Sequence, residues 1–235
     1  AMLNEKNMNL SVYEPMMGRN LLGEFNSSTD DLSAVSLTAL VELTSKKESR
    51  SHLHLGIEKS LGSASSKSTV LTPMNMRMTM TLPYGMQSGD KSTRLLLGYT
   101  HVANFDGFVW GNQVLNSRII KKEDWAFGEK VIINCWVQRE LLPHISISGR
   151  LNYEYSDKIQ GQSGLISGPV QTANPNNYGG GVLNVGFGLN FSLNLFDNTG
   201  KDRLAAELLL PIDQDKRGIQ MRDQYRFVFG YQRSF

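Results

Sequence analysis

The chain has 235 residues, with 24 basic against 22 acidic side chains, a formal net charge of +2, a single Cys and 40% apolar residues, a length that fits one ordinary domain. So slight a charge excess leaves no basic surface large enough to argue for nucleic acid, and one Cys excludes both an intramolecular disulfide framework and a Cys-rich zinc cluster. No run approaches about eighteen consecutive apolar residues, so no transmembrane helix is expected, but composition does not distinguish a buried core from an apolar ring turned toward lipid.

Along the chain the apolar residues recur with period two, the period of a strand. Residues 7–14 are a faint first candidate, followed by a long connection over 15–32. Residues 33–44 place Val35, Leu37, Ala39, Val41 and Leu43 on one parity and Glu42 on the other. Residues 51–59 continue with Leu53, Leu55 and Ile57 opposite His52, His54 and Glu58. Met74, Met76, Met78, Met80 and Leu82 also alternate, over residues 73–82. Counting that segment as a spanning strand makes the total odd and reverses the sides of everything before it, so it is predicted as an extended arm or hairpin inside the long loop 60–90.

Residues 92–102, with Arg94, and 107–118 are fainter strands, and 130–140 set Val131, Ile133, Cys135 and Val137 outward. Residues 144–156 set Ile145, Ile147, Gly149, Leu151, Tyr153 and Tyr155 against His144, Ser146, Ser148, Arg150, Asn152 and Glu154. The clearest alternation is 182–196, where Leu183, Val185, Phe187, Leu189, Phe191, Leu193 and Leu195 oppose Asn184, Gly186, Gly188, Asn190, Ser192 and Asn194. A half-buried globular strand runs about five or six residues and a bilayer crossing takes about nine to eleven, so this length favours a membrane. Residues 203–212 set Leu204, Ala206, Leu208, Leu210 and Ile212 against Arg203 and Glu207. The last segment, 224–235, sets Tyr225, Phe227, Phe229, Tyr231 and Phe235 against Arg226 and its polar neighbours.

Ten strands result, and their connections sort by length. Those at 15–32, 60–90, 119–128, 157–181 and 213–222 are long, while those near 45–50, 103–106, 141–143 and 197–201 are short. Long loops on one side, tight turns on the other and both ends on the turn side are the layout of outer-membrane barrels. The predicted fold is all-β: one antiparallel transmembrane β-barrel domain of ten strands over residues 1–235, in the bacterial outer membrane. Its lipid-facing residues are Leu183 through Leu195 on the odd parity, with Phe227, Phe229 and Tyr231.

The opposite parity then lines the lumen with Glu42, His52, His54, Glu58, Arg94, Arg150, Glu154, Arg203, Glu207 and Arg226. In a small barrel these charges most simply pair with one another; the functional alternative is a narrow pore with a charged constriction. Gly186 and Gly188 leave room beside their strand. His52 and His54, with Glu58, fall short of a metal-ligand set. Met74, Met76, Met78 and Met80 have a spacing that suits a soft ion such as Cu(I), yet Met is equally an apolar filler. Residues of one strand face lie about 7 Å apart per step, so Ser148 is out of reach of His144 and Ser146 is marginal. With no nucleophile motif beside them, neither an enzyme nor a cofactor is expected.

Alternating aromatics ending on Phe235 resemble the last strand of bacterial outer-membrane barrels, which their assembly machinery reads. Most of the chain also resembles the outer-membrane barrel family named for the meta-pathway of phenol degradation, often labelled "transporter". The resemblance is carried by NLSVYEPMM, STDDLSAVSL, HLHLGIEKSLGSAS, TPMNMRMTMTLPYGMQSGD, ANPNNYGGG and RLAAELLLPIDQDKRGIQMRDQYRFVFGYQRSF. It implies passage of small, hydrophobic molecules and brings no catalytic motif. Members carry a signal peptide and further N-terminal segments, so it also implies as many as two more strands, twelve in the full-length product. A closed barrel of structural or adhesive role is the rival reading.

Overall fold

The computed structural model describes residues 2–15, 19–166, 170–193 and 201–234. Ten strands form one antiparallel sheet in sequence order: β1 (Met2–Tyr13), β2 (Leu21–Ser45), β3 (Ser49–Ser60), β4 (Thr93–Phe105), β5 (Phe108–Lys121), β6 (Lys130–Leu142), β7 (Ile145–Ser156), β8 (Gly180–Leu193), β9 (Lys201–Lys216) and β10 (Arg226–Ser234). The sheet curls, since Arg226 of β10 reaches Glu154 of β7 across two intervening strands. Among the described residues no helix is long and apolar enough to cross a membrane.

Short connections gather at one end of the sheet. Asp106 and Gly107, both with positive φ (45° and 78°), make the two-residue link from β4 to β5, the backbone shape whose twist matches a tight hairpin. Long connections gather at the other end, as the pattern of lengths predicts. The Met-bearing segment forms part of a hairpin, Lys67–Leu71 paired with Arg77–Thr81, inside the loop between β3 and β4.

The polarity is that of a barrel turned outward. On β8, Phe187, Leu189 and Phe191 are 59%, 46% and 37% exposed, whereas Asn184 and Asn190 of the other parity are 6% and 8% exposed. Leu195 and Phe235 lie outside the described residues, as does the side chain of Leu193.

Two expectations need correction. Residues 21–32, predicted as loop, belong to β2, and β1 pairs only with that upper part, from Met2 opposite Ala34 to Tyr13 opposite Leu21. Ser33 is skipped in this pairing, and such a bulge switches the parity that faces inward. Ser27 and Thr29 are therefore buried above it, while Val35 and Leu37 are exposed below it. The outward residues above the bulge are mostly polar, among them Glu5, Asn7 and Asn9 of β1 and Glu24, Asn26 and Asp30 of β2, alongside the exposed Leu3. Met2 accordingly lies level with the loop end of β3, where Ala34 meets Ser60, and not at the turn end. Below Ala34 the free edge of β2 has no strand partner among the described residues, nor has the outer edge of β10.

An apolar core sits in the loops. Tyr84, Trp125, Ile159, Ile166 and Ala173, from three different loops, are buried against one another. Tyr84 and Trp125 meet edge to face with centroids 4.8 Å apart. The Tyr84 hydroxyl accepts from the Ser163 amide at 2.9 Å, and the Tyr178 hydroxyl donates to the Thr172 carbonyl at 2.7 Å while accepting from the Gly85 amide. Burial pushes the Tyr178 phenol up from its ordinary pKa, and the neighbouring Tyr84 adds to the effect.

Candidate functional site

The concave face is built in layers. One layer is a belt of side chains standing directly opposite one another across five strands: Thr100 (β4), Gln113 (β5), Asn134 (β6), Asn152 (β7) and Asn184 (β8). Each amide donates to the previous residue, at 2.9 Å from Gln113 to Thr100, 3.1 Å from Asn134 to Gln113, 3.0 Å from Asn152 to Asn134 and 2.8 Å from Asn184 to Asn152. His54 of β3 extends the row through a 2.8 Å bond to the Thr100 hydroxyl. A carboxamide carries both a donor and an acceptor, so it can pass such a chain on from strand to strand.

Toward the turn end, Arg150 of β7 pairs with Glu207 of β9 at 2.6 Å, passing over β8. Gly186 makes that possible: a Cβ there would lie 3.2 Å from the Glu207 carboxylate, 3.3 Å from the Arg150 Cβ and 2.8 Å from Leu209. The Arg150 guanidinium also stands 5.7 Å from the centroid of the Trp136 ring, and that ring covers Gly111, whose added Cβ would lie 2.2 Å from it. Arg226 grips Glu154 at 2.6 Å, and Arg203 donates to Asn190.

Above the belt lies a roof. Asp90, Ser92 and Arg94 are almost fully buried. Arg94 meets Asp90 at 2.7 Å and donates to the carbonyls of Phe127 and Gly128, while Asp90 accepts from Ser92 and from the Phe127 amide. Burial pushes the Asp90 carboxyl up, but hydrogen bonds from Ser92 and Arg94 and the guanidinium charge outweigh it and hold the group below the usual carboxylate range. The segment Leu82–Gln87 is pinned beside this network: the Gln87 side chain bonds Leu82 and Ser66, Thr29 donates to the Met86 carbonyl at 2.9 Å, and Lys6 donates to the Gln87 carbonyl. Between roof and belt is a cavity of about 580 Å³, lined from β1 through β6. Lys6 stands over the Phe127 ring at 5.6 Å.

Of the charged residues expected in the lumen, the structure thus joins Arg150 to Glu207, Glu154 to Arg226 and Arg94 to Asp90. Glu42 stands opposite His52, whose ring is 4.8 Å from that of His54, and Glu58 lines the cavity. Among the described residues no three His, Cys, Asp or Glu side chains come together as a metal site. Met74, Met76 and Met78 are exposed on the outer hairpin. His144 lies in the turn before β7, not on it, and the Ser146 hydroxyl accepts from Gln138 at 2.8 Å. The belt amides, Asp90 and Lys6 went unrecognised from sequence. For Asp90 the signal was present in the LPYGMQSGD element, and for the amides in the recurrence of Asn on the polar parity.

No family model matches the sequence, and no curated protein matches it. Among solved structures the chain is similar to in-vitro folded OmpT, an outer membrane protein of Vibrio cholerae, with 11% identity and a TM-score of 0.46, over 83% of this chain and 54% of that one. The chain thus spans about half the length of that protein.

Proposed function

We propose that the chain is an integral outer-membrane β-barrel of Gram-negative bacteria that binds or passes small molecules through its lumen, with the loops around 60–90 and 157–181 controlling access. The observation that carries this reading is the roofed cavity on the concave face of a sheet whose convex face is apolar. Such a sheet is at home in lipid, where every backbone group needs an internal partner and only closed barrels of strands survive. That requirement also applies to the edges of β2 and β10, which carry no strand partner among the described residues. Outer-membrane lipids and the assembly machinery are the proposed partners, the latter through Phe235, and the motif resemblance to "transporter" barrels favours small solutes.

Purified protein in a planar bilayer tests the reading. Discrete channels are expected, with ion preference altered by Arg150→Ala or Glu207→Ala, since either variant leaves one uncompensated charge in the lumen. The roof and the mutual pairing of lumen charges favour the rival, a closed barrel of structural or adhesive role, and a silent bilayer would establish it over passage.

A further inference from the structure

The cavity beneath the roof is chemically two-sided. Leu96 of β4, Leu115 of β5 and Ile132 of β6 line one wall, and Leu115 and Ile132 stand directly opposite in the register. Lys6 and Lys130 also line it, and neither forms an ion pair among the described residues. Arg94 and Asp90, at the roof, satisfy each other. Glu58 is the remaining carboxylate, which leaves the chamber with one positive charge in excess.

We propose that this chamber binds an amphipathic monocarboxylate, its apolar body against Leu96, Leu115 and Ile132 and its carboxylate between Lys6 and Lys130. Two like charges facing one half-enclosed space repel each other, and a bound anion turns that repulsion into two attractions. A neutral alcohol of the same shape gains only the apolar wall, and an amine of that shape adds a third like charge. The volume lies within the range of about 300–1,000 Å³ common to small-molecule sites. The inference rests on the small-molecule reading above, but binding is measurable whether or not solute crosses.

The test is calorimetric titration of the full chain, folded in lipid nanodiscs, with 4-tert-butylbenzoate, 4-tert-butylbenzyl alcohol and 4-tert-butylbenzylammonium, each against empty nanodiscs. The carboxylate should bind at least tenfold more tightly than the alcohol, and the amine least. Lys6→Gln with Lys130→Gln should abolish that preference while leaving the alcohol unchanged, Lys6→Arg with Lys130→Arg should retain it, Glu58→Gln should strengthen it, and Leu115→Asn should weaken all three probes. Equal affinity for the three probes, or a preference that survives the paired Gln substitutions in a chain that still folds, overturns the inference. A silent bilayer with the carboxylate preference intact removes passage and leaves this site standing; channels without the preference do the reverse.

Discussion

At the scale of single residues, the buried pair Asp90–Arg94 decides whether the roof holds. Six groups converge there with no gap in hydrogen bonding, and removing one partner of such a pair strands the other charge out of water, which costs about 3–5 kcal/mol. Asp90→Asn is therefore expected to release the roof, read as a red shift and quenching of Trp125 emission while the sheet's circular dichroism is retained. Acid should do the same to the native chain. The folded pKa of Asp90 lies below its unfolded value of about 3.9, so the stability it contributes is complete above that pH and is lost as pH falls through the lower folded value. Tyr178 has the opposite sign: its folded pKa is raised, so its contribution is present below about 10 and lost as pH rises through the folded value. A Trp125 transition in acid that is identical in wild type and Asp90→Asn would contradict this assignment. Arg94 was expected in the lumen although the parity of residues 92–102 is ambiguous. Its partner was not, because Asp90 lies beyond the strand, where period two no longer reports direction.

At the scale of elements, parity told which face each strand shows, and register supplied the rest. On β8 Phe187, Leu189 and Phe191 are exposed and Asn184 and Asn190 buried, as their parities require, and on β7 Leu151 and Tyr153 are exposed with Asn152 between them buried. On β2 the same reading stopped near residue 33 because the bulge at Ser33 reverses the parity, and an apolar-alternation rule sees a strand with a polar outer face as loop. The amide belt was invisible for a related reason: five residues spread over 85 positions become neighbours only when four registers are known at once. Asn152 is an interior link, giving to Asn134 and receiving from Asn184. Asn152→Leu strands both partners, at about 1–3 kcal/mol for each buried group left unsatisfied. Urea unfolding from micelles should show that loss, and Asn152→Asp should cost less because the acceptor toward Asn184 survives. Equal losses for the two variants would mean that volume, not hydrogen bonding, governs the site.

At the scale of the whole molecule, apolar burial and wall formation are divided between different parts of the chain. The strands turn most of their apolar residues outward, while three loops build a core around Tyr84 and Trp125, with Phe127, which also lines the chamber, packed against it. Loop order and length were legible from sequence; that the loops pack into one body was not, because their apolar residues follow no period. The division predicts that the two parts fail separately. Trp125→Ala should cost about 3–5 kcal/mol, the usual loss for a large buried aromatic, yet that cost falls on the cap, whose contacts are not needed for strand pairing. Heat modifiability on gels, which follows the sheet, should be unchanged, whereas unitary conductance and protease cleavage between residues 157 and 179 should both rise. If conductance stays at the wild-type level while the loops become cleavable, the cap is not what limits entry, and the constriction belongs to the layer of Arg150, Glu207 and Trp136 nearer the turn end.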